Sequence, residues 1–351
     1  MVRRSLIAVA ALLAVGTPLT AQNPTGEAEE HTWSADRPDA SGLLGVFGDR
    51  TLEAGELRLT YNYSQENYRG VYFGTDSLEL ATVLQLYDNA PLTRSDIVHQ
   101  VRFGFGINDR VTLVARGGWA VLERETTTAN SLIRVGVNVP TDVEVGALVD
   151  LYSSGPYRML AQIGGVIPTG LGNTTYGVTS PGVSGPLPYD MRTSGGSFGV
   201  VGGLAGSVQN GVGSLGAQFR FRVHVTENNA GSGVAATSGY TPGDRYEANG
   251  WAGYNINDNV AILAGVRWQN WDNIDGADLR LDTMEDPHNA GGMLAGQRVI
   301  LPVGVNLLMP ENSPIAGHLL SFEAMYAMHH DYEGPQLGLD WGINVGYTLP
   351  F

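Results

Sequence analysis

Apolar and polar residues alternate one by one along most of this chain. Over residues 215–225, Leu215, Ala217, Phe219, Phe221 and Val223 fall on one side, and Gln218, Arg220, Arg222 and His224 on the other. A period of two is the signature of extended backbone, where successive side chains point to opposite faces. The same alternation recurs at residues 56–64, 97–107, 111–121, 143–152, 157–167, 198–208, 246–255, 260–268, 299–307, 319–328 and 339–351. That makes about 12 strands, within the even-numbered range of bacterial outer-membrane barrels.

The last segment sharpens the reading. Leu339, Trp341, Ile343, Val345, Tyr347 and Leu349 alternate with Asp340, Gly342, Asn344, Gly346 and Thr348, so one face is wholly apolar and the other wet. In a soluble sandwich a second layer would have to cover the apolar face; in an outer membrane, lipid covers it. Lipid offers no hydrogen bonds, so the sheet must close on itself and leave no edge. The connections support the barrel. Residues 108–110, 153–156, 209–213, 256–259 and 310–317 are short and rich in turn formers, whereas most of the others run to about 15–30 residues. Short periplasmic turns and long extracellular loops are the barrel pattern, and they place both ends of an even-stranded wall in the periplasm. The fold expected is all-β: a transmembrane antiparallel β-barrel. Trp119, Trp268, Tyr61, Tyr63, Tyr326, Tyr347 and Phe351 lie near strand ends, where aromatic girdles belong.

Composition then fixes the compartment. Met1-Val-Arg-Arg4, the apolar run that follows and Ala21 fit a secretory signal peptide over residues 1–21. Residues 22–54 read as a periplasmic N-terminal segment and residues 55–351 as the barrel, in the outer membrane of a Gram-negative bacterium. Cysteine is absent, which removes disulfide and thiol chemistry. Every basic residue is arginine, and a formal net charge of −15 argues against a nucleic-acid partner. Glycine, at 48 of 351 residues, suits strands on which small residues alternate with lipid-facing ones.

Strand parity also assigns the charges. Taking the apolar faces as outward, Arg58, Arg102, Arg116, Arg158, Arg220, Arg222, Arg245, Arg267 and Arg298 turn inward, together with Glu144, Asp150, Glu247, Glu323 and Asp340. A charge facing lipid costs about 2–4 kcal/mol at the midplane, so inward placement is expected of any barrel. Arginine forks pairing with these acids would line the lumen and leave positive potential for anionic or polar solutes. Residues 36–50 are less polar than the acidic stretch before them; with Asp36, Arg37, Asp39 and Phe47, they form a candidate plug for the barrel mouth.

Other candidate chemistry is thin. Gly195-Gly-Ser-Phe-Gly199 fits a nucleophile-elbow pattern around Ser197, but that pattern needs a strand-to-helix turn and Phe198 opens a strand. His329-His330 would point to opposite faces of a strand. Asp272, Asp275 and Asp278 put three carboxylates in one loop, a weak calcium candidate without EF-hand spacing. No cofactor is implied.

Several motifs together resemble an outer-membrane family named for the meta-pathway of phenol degradation. They are Asp36-Arg-Pro-Asp39, Gly48-Asp-Arg50, Asn108-Asp-Arg-Val-Thr-Leu113, Ile167-Pro-Thr-Gly170, Gly243-Asp-Arg-Tyr-Glu247 and Gly334-Pro-Gln-Leu337. The resemblance implies a transporter-like barrel and, loosely, an aromatic or other small hydrophobic solute. It carries over no catalytic residue. The chain end at Tyr347, Leu349 and Phe351 similarly resembles the signal read by the outer-membrane assembly machinery. The expectation is therefore a monomeric channel in outer-membrane lipid for passive passage of a small solute. A closed structural or adhesive barrel is the alternative, and an outer-membrane hydrolase a more distant one.

Overall fold

A computed structural model describes residues 31–170, 186–229 and 239–351. The expected signal peptide, residues 1–21, lies outside the described residues, as do residues 22–30. Eleven strand segments form one closed antiparallel wall. They are β1 (Leu57–Gly74), β2 (Ala90–Asn108), β3 (Val111–Thr127), β4 (Val143–Ser154), β5 (Tyr157–Ile167), β6 (Gly199–Gln209), β7 (Gly213–His224), β8 (Arg245–Asn257), β9 (Val260–Trp271), β10 (Gly296–Leu308) and β11 (Leu319–Pro350). Each pairs with its neighbours in sequence, and β11 pairs back onto β1 from Arg58 opposite Pro350 to Gly74 opposite Tyr332. No edge of the wall is left open. Two further strands lean on it from the loops: Asp76–Leu78 on β1 and Leu132–Pro140 on β3.

The outward faces are apolar and uncovered. Phe103, Leu113, Val145, Leu204, Val303 and Tyr326 are all exposed, and Ile163 is 65% exposed. In a water-soluble protein so large an apolar belt would be an association site; around a closed barrel it is a lipid-facing girdle.

Two expectations need correction. First, the wall has eleven segments where about 12 strands are expected, because β11 runs unbroken for 32 residues. Residues 319–332 of β11 pair with β10 and residues 332–350 pair with β1, so the two expected strands at 319–328 and 339–351 are arms of one element. Second, about half of the connection at residues 65–93, where a loop is expected, belongs to the wall. β1 continues to Gly74, β2 starts at Ala90, and a short helix, Leu80–Leu86, lies between them. The reason is common to both: once strands rise past the lipid their outward residues no longer have to be apolar. Period-two patterning fades there while the backbone ladder continues.

Candidate functional site

Inside the wall lies the N-terminal segment. The Trp33 amide donates to the Gly155 carbonyl at 2.9 Å, and Ser34 and Gln209 exchange two hydrogen bonds of 2.8 and 3.1 Å at the rim of the short turns. Arg37 grips Asp39 through two bonds of 2.9 Å and reaches the Asn210 carbonyl at 2.6 Å. Asp39 is buried, accepting also from Asn255 at 2.9 Å, and its carbonyl accepts from Ser214 at 2.8 Å. Asp36 stays at the rim, its amide donating to Ser34 Oγ. Deeper in, Leu43 and Val46 pack with Trp251, Ala261 and Leu263, and Phe47 packs with Val114 and Leu148. The segment's backbone is answered by side chains from the wall: Arg102 donates to the Leu44 and Val46 carbonyls at 2.9 and 3.3 Å, Gln218 to Phe47 at 2.7 Å, and Asn306 to Pro38 at 2.9 Å. A chain crossing a barrel needs such partners, since an unsatisfied buried carbonyl costs about as much as a lost hydrogen bond. Gly48 turns the chain with φ of +78°, a region that favours glycine.

Above this segment the inward charges meet. Glu144 on β4 accepts from Arg116 at 2.9 Å and from Arg220, with Arg222 at 3.6 Å. Gln162 braces it, donating to Glu144 at 3.2 Å and accepting from Arg220 at 3.3 Å. Arg267 pairs with Glu323 at 3.4 Å, and Asn344 donates to the same carboxylate at 2.7 Å. Glu247 is held by Asn249 and Gln269 at 2.8 Å each, while Arg298 reaches Gln269 at 2.7 Å and Glu66 at 3.3 Å. Lower down, Arg58 pairs with Glu56 at 2.6 Å, Arg158 lies 3.9 Å from the Trp33 ring centre and Asp150 accepts from Ser153. Arg245 stands directly opposite Arg222 across the β7–β8 ladder.

Asp340 does not join this network. The register slips between Tyr68–Leu339 and Asn67–Trp341, and a bulge changes strand parity there. Leu339 is consequently buried with Tyr68, Val71 and Leu337, and Asp340 and Trp341 are exposed.

A cavity of about 440 Å³ lies between the Glu144 cluster and the long loops. Its wall carries Arg94, Arg116, Arg192, Arg220, Arg222, Arg245 and Arg298, with Tyr68, Tyr189, Tyr240, Trp271 and Tyr332 among them. Two loop segments close over it. Arg124, 2% exposed, donates to both oxygens of Asp286 at 2.8 and 2.6 Å and to Asp190 at 3.1 Å. Burial alone would raise both carboxyls, but the Arg124 and His288 charges outweigh it and hold Asp190 and Asp286 below the ordinary carboxylate value. Sequence reasoning missed Arg94, Arg124 and Arg192. For Arg94 and Arg124 a signal existed: they keep the even parity of Arg102 and Arg116 on the strand continuations above lipid.

The calcium candidate is corrected by its own partners. Asp278 is buried and takes both Arg192, at 2.9 Å, and Arg280, at 2.7 Å. Burial raises this carboxyl, yet the hydrogen bonds from Arg280 and Arg192 outweigh it and bring it down to about 2. Asp275 sits in a two-residue strand paired with Thr241, and among the described residues no group of three metal-ligating side chains converges. Two guanidiniums occupy the carboxylate a cation would need. Adding millimolar calcium or EDTA should therefore leave amide exchange over residues 272–280 unchanged; a calcium-dependent gain in protection would contradict this arrangement. Ser197 is likewise occupied: its hydroxyl donates to the Thr226 carbonyl. At the seam, the Tyr347 hydroxyl and His318 Nδ1 share a hydrogen bond of 2.6 Å, Leu349 pairs with Leu59, and Phe351 is exposed.

No family model matches this sequence, and no curated protein matches it. Among solved structures it is similar to the COG4313 outer membrane channel from Pseudomonas putida F1, with a TM-score of 0.59 at 12% identity over 86% of this chain and 98% of that one. Fainter likenesses are the transport unit of the autotransporter AIDA-I from Escherichia coli (TM-score 0.45, 10% identity, 86% of this chain and 91% of that one) and the CymD monoaromatic hydrocarbon channel (TM-score 0.42, 11% identity, 90% and 97%). At such identity the first likeness establishes the fold: this chain has the β-barrel architecture found in an outer membrane channel.

Proposed function

We propose that the protein is a monomeric outer-membrane channel through which small solutes pass passively. The observation that carries this is a lumen that is polar, charged and partly empty: a barrel built only to be stable would fill its interior with side chains, and this one keeps about 440 Å³ beside an internal segment. In this reading the two arms of β11 count separately and give about 12 crossings, the short turns face the periplasm, and the long loops face outward. The segment containing Asp36, Arg37, Asp39 and Phe47 is the plug, and the inward arginines and acids line the route. Tyr347, Leu349 and Phe351 present the closing strand to the assembly machinery. The family resemblance favours an aromatic or hydrophobic solute. The Arg124 link between loops favours a second reading, a closed structural barrel. Planar bilayers separate the two: the refolded full-length protein should give small, discrete current steps. A silent bilayer, with silence persisting after residues 36–50 are deleted, rejects the channel.

A further inference from the structure

Four of the guanidiniums around the cavity share a single ion-paired acid among the described residues. Arg116, Arg220 and Arg222 converge on one carboxylate, Glu144. Arg245 has no carboxylate within ion-pair distance among the described residues, although it directly faces Arg222 in the ladder. Like charges placed opposite each other on a sheet destabilise it, and among the described residues only Arg222 has an acid, Glu144 at 3.6 Å, to offset this pairing. Asp142, Glu247 and Asp272 also line the cavity, but none of them is within ion-pair distance of these four guanidiniums. The remaining cavity arginines are accounted for: Arg94 by Asp96 and Asp190, Arg192 by Asp278, and Arg298 by Glu66.

Aromatic rings line the same space, with Trp271 directly beside Arg245 across the β8–β9 ladder and Arg192 lying over Tyr189 and Tyr240. Tyr189 and Tyr240 meet edge to face with centroids 5.1 Å apart, and Trp271 and Tyr332 lie 5.7 Å apart. A cavity of this volume is at the lower end of the range for small-molecule sites, about 300–1,000 Å³. Guanidiniums set beside flat π surfaces select a ligand with an anionic head and a ring.

We propose that Arg222 and Arg245, with Arg116 and Arg220 beside them, form a binding site for a small aromatic carboxylate, seated with its carboxylate between the guanidinium forks and its ring against the neighbouring tyrosine and tryptophan rings. This deepens the channel reading and rests on it for the route of entry. Guanidinium forks accept a carboxylate through paired charge-assisted hydrogen bonds, and the bound anion supplies the charge that the Arg222–Arg245 pairing lacks. A neutral aromatic gains only the ring contacts.

The test is calorimetric titration of the refolded full chain in detergent with benzoate, benzyl alcohol and inorganic phosphate, on the wild type, Arg222→Gln, Arg245→Gln and the outlying control Arg134→Gln. Heat-modifiable gel mobility reports that each barrel is formed. Benzoate should bind saturably, at least tenfold more tightly than benzyl alcohol, and each cavity substitution should weaken it at least tenfold while R134Q does not. Without ligand, R245Q should unfold no lower than wild type, since it removes a repulsion; should R222Q fail to fold, R245Q alone decides. Benzoate binding unchanged in R245Q overturns the site. Benzyl alcohol binding as tightly as benzoate overturns the anionic head, and phosphate binding as tightly overturns the ring. Benzoate binding by a barrel that stays silent even after residues 36–50 are deleted would keep the site and reject the channel, so the two proposals fail separately.

Discussion

Substituting Arg124 with methionine should release two loop segments at once while the barrel wall stays closed. The guanidinium is the shared anchor of Asp190 and Asp286, and its side chain is 1% exposed. Removing one partner of a buried ion pair leaves the other charge buried and unanswered, which costs about 3–5 kcal/mol. Here two carboxylates are left. The wall itself is held by main-chain ladders, so the loss falls on the segments that carry the acids, residues 189–191 and 286–289. Hydrogen exchange there should accelerate on the order of a hundred- to a thousand-fold, since about 1.4 kcal/mol is one power of ten. Exchange in β5 and β6 should not change. Acidity offers a second handle. Both carboxyls are held below their ordinary value of 3.8, so the fold favours their charged forms and the stabilisation is fully present above that value. As pH falls further the acids protonate and the stabilisation disappears. Loop protection should thus be flat from neutral pH to about 4 and decline below it; a loss between pH 7 and 5 would show that these carboxylates do not hold the loops.

The second large effect concerns the internal segment. A Cβ on Gly45 would stand 1.6 Å from Arg267 Nη2 and 2.0 Å from its Cζ. That guanidinium has little room to yield, being held by Asn249 at 3.0 Å, Met325 Sδ at 3.2 Å and Glu323 at 3.4 Å. Gly45→Leu should therefore drive the segment out of its seat, and deletion of residues 36–50 should remove it altogether. Both changes are expected to raise single-channel conductance several-fold over wild type, with Gly211→Leu, at a site with nothing within 4 Å, as the unaffected control. Equal currents from all four proteins would mean that the segment does not obstruct the conducting path.

How far these features can be read from the sequence depends on what constrains each residue. Lipid constrains the middle of every strand, so the alternation of Leu215, Ala217 and Phe219 with Gln218 and Arg220 is clear and fixes which side faces inward. Above the lipid no such constraint acts. Residues 65–74 of β1 and 90–96 of β2 therefore carry no period, and Arg124 escapes notice although it shares the parity of Arg116. Asp340 is misassigned for a different cause, a single bulge that no hydropathy pattern records. The seat of the N-terminal segment is only hinted at by its lower polarity, because its partners are scattered along the chain: Asn306 for Pro38, Gln218 for Phe47, Arg102 for Leu44. Asp278 reads as a calcium ligand until Arg192, far away in sequence, is seen to reach it.

The meeting of Leu57 with Phe351, whose main chains exchange hydrogen bonds of 3.0 and 2.8 Å, has a consequence for the order of assembly. Joining segments separated by almost the whole polypeptide costs about 5 kcal/mol more in chain entropy than joining adjacent residues, so hairpins such as β2–β3 and β6–β7 zip first. Until the final join, both flanks of the growing sheet present unpaired amides that lipid cannot satisfy. Insertion must therefore proceed with those flanks shielded, and the last bond made is the one that lets the molecule stand alone in the bilayer.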